Sequence, residues 1–161
     1  MASRRGAFNF HYQADGYHPL VCFDGMIGDL LKAELKPDAM YCRNGASAFM
    51  KPLMEEYLTN YPETALFMRG DAGFATDELY SLRETHGTSY AIRMKVNNVL
   101  KKLMSELDSE LYNLTQEDTI SYVVVYGEFE YKANSWCYPR RIICKVEKTY
   151  GEMIHIIVYA D

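Results

Sequence analysis

The stretch FMRGDAGFATDELYSLRETHGTSYAIRMK, residues 67–95, decides the fold class because it predicts a strand, a helix and a second strand in direct succession. The apolar run TALFM, residues 64–68, is typical of a central strand that is buried on both faces. Thr76 can cap the helix and Gly87 can end it, with acidic residues in the first turn where the helix dipole favours them. Since the strand–helix–strand order needs a crossover connection, we expect the two strands to be parallel.

Asp71 stands at the mouth of the turn after the first strand, between Gly70 and Gly73. A carboxylate at a strand end can point into the cleft at the carboxyl edge of an open α/β sheet, where ligands bind. The neighbouring glycines permit backbone conformations that other residues resist. The alternative is that Asp71 caps the turn or the following helix, and the local pattern leaves both interpretations open.

The other elements predict an α/β protein with a β-rich second half. A hairpin is expected within 20–35, followed by a helix at 45–59 whose apolar residues recur at helical spacing. We expect this helix and the one at 76–86 to pack on a mixed sheet. A polar-faced helix at 99–111 then precedes three long runs between 119 and 160. These runs are rich in β-branched and aromatic residues, which favours antiparallel strands, partly as an insertion.

The composition narrows the class of protein without identifying a partner. A length of 161 residues suits one domain, and an apolar fraction of 48% suffices for a core. The net charge of −5 gives no overall attraction to nucleic acid, so any DNA contact needs local basic patches. No apolar run approaches a membrane span, no secretory signal is visible and no cysteines have zinc-finger spacing. We therefore expect a cytoplasmic protein that does not contact a membrane.

Basic residues near aromatic ones form a second candidate site. Arg93 and Lys95 alternate along the strand AIRMK, while Arg140 and Arg141 lie close to Trp136 in the sequence. Because arginine and lysine neutralise phosphates and aromatic rings stack on bases, this set could bind nucleic acid. The alternative is a solvated strand face with one buried tryptophan.

Four segments, in order along the chain, resemble DDE transposases of the IS1380 insertion-sequence family. They are FNFHYQADGYHPLVCFDGMIGDLLKAELKP, RGDAGFATDELYSL, YAIRMKVN and YKANSWCYPRRIICKVE, and they extend roughly from Phe8 to Ala160. The resemblance implies an RNase H-like mixed sheet with flanking helices and a β-rich C-terminal block. Residues 8–96 would form part of this core and residues 97–161 a helix with an insertion-like β-rich portion. Together they would make a single, partial catalytic domain over residues 1–161.

The resemblance also implies the chemistry. In this family two aspartates and one glutamate hold two divalent metal ions, Mg²⁺ or Mn²⁺, for DNA cleavage and strand transfer. Asp71 matches the second aspartate, as a catalytic residue and metal ligand. The first aspartate would precede FNFHYQ, where MASRRGA holds no acid, and the glutamate would lie on a helix after the β-rich block. We therefore expect a truncated domain that is inactive alone and does not stably bind metal, which leaves its status as an enzyme open.

Other acids do not replace the two missing ligands in this alignment of motifs. Three aspartates match hairpin positions and two glutamates match strand positions: Asp15, Asp24, Asp29, Glu128 and Glu130. The expected partners are DNA, as insertion-sequence ends and target, and further copies of the chain, because an unpaired sheet edge invites pairing. When bound to DNA the protein would lie with the bacterial nucleoid. The alternatives are a non-catalytic DNA-binding or transposase-assembly module, and a repurposed nuclease.

Overall fold

The protein has a mixed α/β fold in the part of the chain that the structure describes. The structure is a computed structural model, and it describes residues 7–9, 13–16, 19–35, 45–114, 122–149 and 152–160. These residues form nine strands, four α-helices and one 3₁₀ turn. They belong to two compact units, residues 1–64 and residues 65–161, and each unit is described by itself. The arrangement is compatible with part of an RNase H-like fold.

The first unit contains two antiparallel hairpins. Strands β1 (Ala7–Asn9) and β2 (Ala14–Gly16) form one, and β3 (Pro19–Phe23) and β4 (Leu30–Leu35) form the other. The β3–β4 hairpin confirms the sequence prediction. The β1–β2 hairpin was not predicted, because strands of three residues are too short for an alternating pattern to stand out.

Helix α1 (Ala46–Asn60) confirms the helix predicted at 45–59, and Pro52 lies inside it. Lys32 of β4 joins the hairpin to this helix. Its Nζ donates a hydrogen bond to the Phe49 carbonyl at 2.6 Å and lies 4.7 Å from the centre of the Phe49 ring. The buried Phe49 ring and the lysine therefore anchor one another within the unit.

The second unit is built on one five-stranded sheet with the order β5–β6–β9–β8–β7. Its strands are β5 (Phe67–Gly70), β6 (Ser89–Met94), β7 (Val123–Tyr131), β8 (Arg140–Thr149) and β9 (Glu152–Ala160). The β5–β6 pair is parallel, as predicted, and the other pairs are antiparallel. The β-rich half of the sequence thus extends the β5–β6 sheet through β9.

The strand predicted as central and buried lies at a sheet edge, so this prediction was wrong. Strand β5 begins at Phe67 rather than Thr64, and its one partner within the described residues is β6. Its side chains are exposed or half-buried, and Phe67 is 60% exposed. The apolar run predicted a longer strand than the structure contains, because Ala65 and Leu66 precede β5 and are not part of it.

Helix α2 (Asp77–Thr85) confirms the helix predicted between β5 and β6. Thr76 caps it, since Oγ1 accepts a hydrogen bond from the Leu79 amide at 3.4 Å. Gly87, just after the helix, has a φ of 61°, the left-handed conformation that glycine adopts easily. The capping residues were therefore predicted correctly from the sequence.

The helix predicted at 99–111 is two helices instead. Helix α3 (Asn98–Leu103) and helix α4 (Ser105–Leu114) are separated at Met104, whose side chain is fully buried. Asn97 caps α3, because its side-chain oxygen accepts a hydrogen bond from the Leu100 amide at 2.9 Å.

The sheet of the second unit has a covered face and an open face. Helices α2 and α4 pack on the covered face, whose side chains on β6 and β8 are buried: Tyr90, Ile92, Met94, Ile142, Cys144 and Val146. Residues that alternate with these, and their partners in register, point to the other side. We call that side the open face, and its side chains include Phe67, Arg69, Ser89, Arg93, Tyr126, Glu128 and Arg141.

Candidate functional site

Asp71 directly follows β5 and starts the 3₁₀ turn at Ala72–Phe74. Its Oδ1 accepts a hydrogen bond from the Gly73 amide at 2.7 Å, and its carbonyl accepts one from the Phe74 amide at 3.1 Å. The residue is exposed. The geometry therefore combines a capping side chain with an accessible carboxylate at the end of a strand.

Gly73 permits a close approach of the Asp71 side chain rather than an unusual backbone conformation. Neither Gly70 nor Gly73 has a positive φ, so the expected conformational role of these glycines is not met. A Cβ atom at position 73 would lie 3.0 Å from Asp71 Oδ1, which is closer than an ordinary contact. The absence of a side chain at Gly73 thus leaves room for the carboxylate.

Parallel strand pairing places Asp71, Arg93 and Lys95 at one edge of the sheet. Gly70 of β5 lies opposite Ile92 of β6, so Asp71 and Arg93 follow at neighbouring positions. Arg93 and Lys95 are both exposed. The structure therefore brings the predicted metal ligand together with two of the predicted phosphate contacts, at the edge where α/β sheets bind ligands.

Arg140, another predicted phosphate contact, lies in the core instead, where 2% of its side chain is exposed. Its Nε donates to Glu84 Oε1 at 2.6 Å and its Nη2 to Glu84 Oε2 at 3.1 Å. Its Nη1 donates to Asp77 Oδ1 at 2.7 Å. Both carboxylates belong to α2, so Arg140 binds the start of β8 to that helix through charge-assisted hydrogen bonds.

Three aromatic rings surround the same guanidinium. Its central carbon lies 4.8 Å from the centre of the Tyr80 ring, 5.0 Å from that of Trp136 and 4.7 Å from that of Tyr138. Cations over aromatic faces gain up to about 2 kcal/mol when they are desolvated. We call this set the Arg140 cluster: Arg140, Asp77, Glu84, Tyr80, Trp136 and Tyr138.

The remaining predicted DNA contacts have mixed environments. Trp136 is only 5% exposed, while Arg141 is exposed and its Nη2 pairs with Glu128 Oε2 at 2.8 Å. The role of Arg140 and Trp136 in nucleic-acid binding stays a prediction, and their burial argues against it. Of the predicted basic contacts, Arg93 and Lys95 make no ion pair within the described residues.

Two of the other acids considered as ligands, Asp24 and Glu128, make contacts within the fold. Asp24 Oδ1 accepts hydrogen bonds from the amides of Met26 and Ile27, at 2.7 and 3.1 Å, and Glu128 pairs with an arginine. The side chain of Asp15 lies outside the described residues. Within the described ranges, no three His, Cys, Asp or Glu side chains are grouped so that they could hold a metal ion.

The Arg140 cluster makes stability depend on pH. Burial alone would raise the pKa of Glu84, but hydrogen bonds from Arg140, Tyr138 and Tyr90 outweigh it and lower this pKa to about 2. Burial also opposes the shift at Asp77, whose pKa is nevertheless lowered by its hydrogen bonds with Arg140 and Cys137. A carboxyl group with a lowered folded-state pKa stabilises the fold above its unfolded pKa, and this contribution is lost as the pH falls toward the folded value.

We therefore expect the free energy of unfolding to decrease as the pH is lowered from about 5 to about 2, by up to about 3 kcal/mol from Glu84. Urea unfolding of the parent and of Glu84→Gln at a series of pH values measures this. Since glutamine cannot ionise, the variant should show a smaller decrease over the same range. Equal decreases in the two proteins would rule out Glu84 as the source.

Arg69 was missed in the sequence, although it is exposed and lies on the open face two residues before Asp71. The signal that could have identified Arg69 is its alternation with Phe67 on β5, which pairs with the strand that carries Arg93. Glu84 was also missed. Its spacing of seven residues from Asp77 places both acids on one face of α2, which could have indicated a shared cation.

Comparison with known proteins gives a family for the whole chain. A family model described as Transposase DDE domain group 1 matches residues 3–160. Searches of curated proteins and of solved structures gave no match. No helix within the described residues is long and apolar enough to cross a membrane.

The family match supports a general function. DDE transposase domains carry out the DNA cleavage of transposition, and the family generally uses divalent metal ions. This agrees with the resemblance at the level of DDE transposases, without distinguishing one insertion-sequence family from another. Because the match covers nearly the entire sequence, the chain belongs to the DDE transposase domain family, group 1.

Proposed function

We propose that this chain forms part of the catalytic domain of an IS1380-type transposase, in which Asp71 supplies one carboxylate ligand for divalent metal ions. The observation that carries this proposal is an exposed carboxylate at the carboxyl end of β5, beside two exposed cations at the end of β6. Hard oxygen ligands of this kind suit Mg²⁺ or Mn²⁺. The other ligands would come from residues that the structure does not describe, or from a longer protein.

The residues around Asp71 suit this role. The Gly73 amide fixes Oδ1 and so orients the carboxylate. Arg93 and Lys95 place positive charge beside it, where a phosphodiester would approach. When bound, divalent ions would activate the attacking oxygen and stabilise the leaving oxygen.

The proposed partners follow from the same surface. DNA would be bound as insertion-sequence ends and target, and the protein would lie with the nucleoid while bound. Within the described residues, the edge of β5 away from β6 has no strand partner. Its backbone groups would be open to pairing with a second chain, which favours a homo-oligomer. A non-catalytic DNA-binding or assembly module is the second candidate, and the exposed Arg93 and Lys95 would serve that role equally well.

Mn²⁺ titration followed by nuclear magnetic resonance separates the two candidates. We expect weak binding at millimolar Mn²⁺, with selective broadening of the amide signals of residues 71–73, because one carboxylate displaces few of the waters on the ion. Asp71→Asn should lose the broadening but keep the Gly73 amide shift, since asparagine can still accept that hydrogen bond. Asp24→Asn is the matched control, because Asp24 also caps a turn through Oδ1. Broadening that persists in Asp71→Asn would exclude Asp71 as a ligand.

A further inference from the structure

The open face of the sheet divides into a basic half and a neutralised half. On β8, Arg141 and Lys145 each pair with a glutamate, at 2.8 and 2.5 Å. On β5 and β6, Arg69 and Arg93 are exposed and make no ion pair within the described residues. The uncompensated positive charge is therefore concentrated on the β5–β6 half, although the chain as a whole is acidic.

An exposed aromatic ring lies within this basic half. The register places Phe67 beside Ser89 and Arg69 beside Ala91, with Arg93 two residues further along β6. Since neighbours in register and alternate residues share a face, Phe67, Arg69 and Arg93 lie together on the open face. Phe67 is 60% exposed, so its ring is accessible to a ligand on the same surface as the two arginines.

An exposed aromatic ring flanked by two exposed arginines matches what binding of single-stranded nucleic acid needs. Aromatic side chains stack on the bases and cations track the backbone, whereas the bases of a duplex are already stacked on one another. An apolar protein partner fits less well, because two guanidinium groups would have to be buried without carboxylate partners.

We propose that the β5–β6 half of the open face binds single-stranded DNA, with Phe67 stacking on a base and Arg69 and Arg93 contacting phosphates. This inference rests on the proposed DNA substrate. It adds that the bound DNA is single-stranded and that Phe67 and Arg69 contact it. Since β5 leads directly into Asp71, a strand bound along it would have its backbone next to that carboxylate.

Fluorescence anisotropy with a short labelled single strand of mixed sequence, and with the matching duplex, tests the proposal at low salt. The parent should bind the single strand more tightly than the duplex. Phe67→Leu, which keeps apolar bulk and removes the ring, should weaken single-strand binding about 10-fold. In a plot of the logarithm of the binding constant against the logarithm of the salt concentration, Arg69→Ala should reduce the magnitude of the slope by about 0.7. This is the value for one lost phosphate contact on a single strand.

Lys145→Ala is the matched control, because Lys145 is a cation on the same face but already has a glutamate partner. It should leave both affinity and salt dependence unchanged. Single-strand binding that is unaffected by Phe67→Leu and Arg69→Ala would overturn this surface and leave DNA as the partner. Equal affinity for both forms of DNA would overturn the single-strand preference. Failure of the parent to bind either form would overturn the proposed DNA substrate as well.

Discussion

Replacing Arg140 with alanine is expected to lower the free energy of unfolding by about 3–5 kcal/mol, which is a large share of the stability of an ordinary domain. The substitution would leave the carboxylates of Asp77 and Glu84 without their cation, although each side chain is less than a third exposed, at 22% and 26%. It would also open a gap between the rings of Tyr80, Trp136 and Tyr138. Both effects act on the covered side of the sheet.

Urea unfolding monitored by tryptophan fluorescence measures this loss well, because Trp136 is the one tryptophan in the sequence and its ring lies 5.0 Å from the guanidinium. Arg141→Ala is the control at the next position. That arginine makes an exposed pair with Glu128, so its removal should cost no more than about 1 kcal/mol. The loss of stability in Arg140→Lys should lie between those of the two alanine variants, since lysine keeps the charge but cannot reproduce the paired donors of a guanidinium. Equal losses for both alanine variants would disprove the structural role of the Arg140 cluster.

The Arg140 cluster also bears on the candidate site, through the chain that links them. Asp71 leads into a 3₁₀ turn, then to the Thr76 cap, and Asp77 follows as the first residue of α2. Arg140 holds Asp77 and Glu84, and so fixes both ends of α2 against β8. The segment that presents Asp71 is therefore continuous with one of the most tightly bonded parts of the second unit.

Local signals in the sequence were sufficient to predict the elements whose structure depends on residues close together in the chain. Helix α2 was predicted because Thr76 and Gly87 mark its ends, and β6 was predicted as the strand that follows it. For Asp71 the sequence left two roles open, and the structure shows the capping hydrogen bond from the Gly73 amide. The metal-binding role depends on the resemblance to transposases, because one carboxylate in a turn does not by itself indicate a metal.

The features that the sequence did not predict depend on contacts between residues far apart in the chain. The partners of Arg140 are 56 and 63 residues away, so nothing near the arginine distinguishes a buried cation from a DNA contact. The edge position of β5 depends on which strands pair, and the apolar run at 64–68 is equally typical of a central strand. Strand β9 pairs with β6 across a large separation in sequence, which is why the β-rich half joined the sheet unexpectedly.

Asp71→Asn is expected to abolish metal-dependent DNA cleavage while leaving the fold intact. Under the proposed function the 161-residue chain by itself should not cleave DNA, since Asp71 is the one carboxylate proposed as a metal ligand. A longer transposase that carries the two further carboxylates should cleave plasmid DNA bearing its cognate terminal repeats, with Mg²⁺ or Mn²⁺. In that protein, loss of the Asp71 charge should reduce cleavage by more than about 100-fold, because even the outer partners of metal ligands are worth 10–100-fold.

Comparison with Asp71→Ala separates catalysis from folding at this position. Asparagine keeps an oxygen that can accept the hydrogen bond from the Gly73 amide at 2.7 Å, whereas alanine removes it. Loss of a capping side chain costs about 0.5–2 kcal/mol, so only the alanine variant should unfold at lower urea concentration. Both variants should be equally inactive if the carboxylate binds metal. If Asp71→Asn cleaved like the parent and Asp71→Ala did not, the residue would act through the turn it caps, and another acid would have to be the ligand.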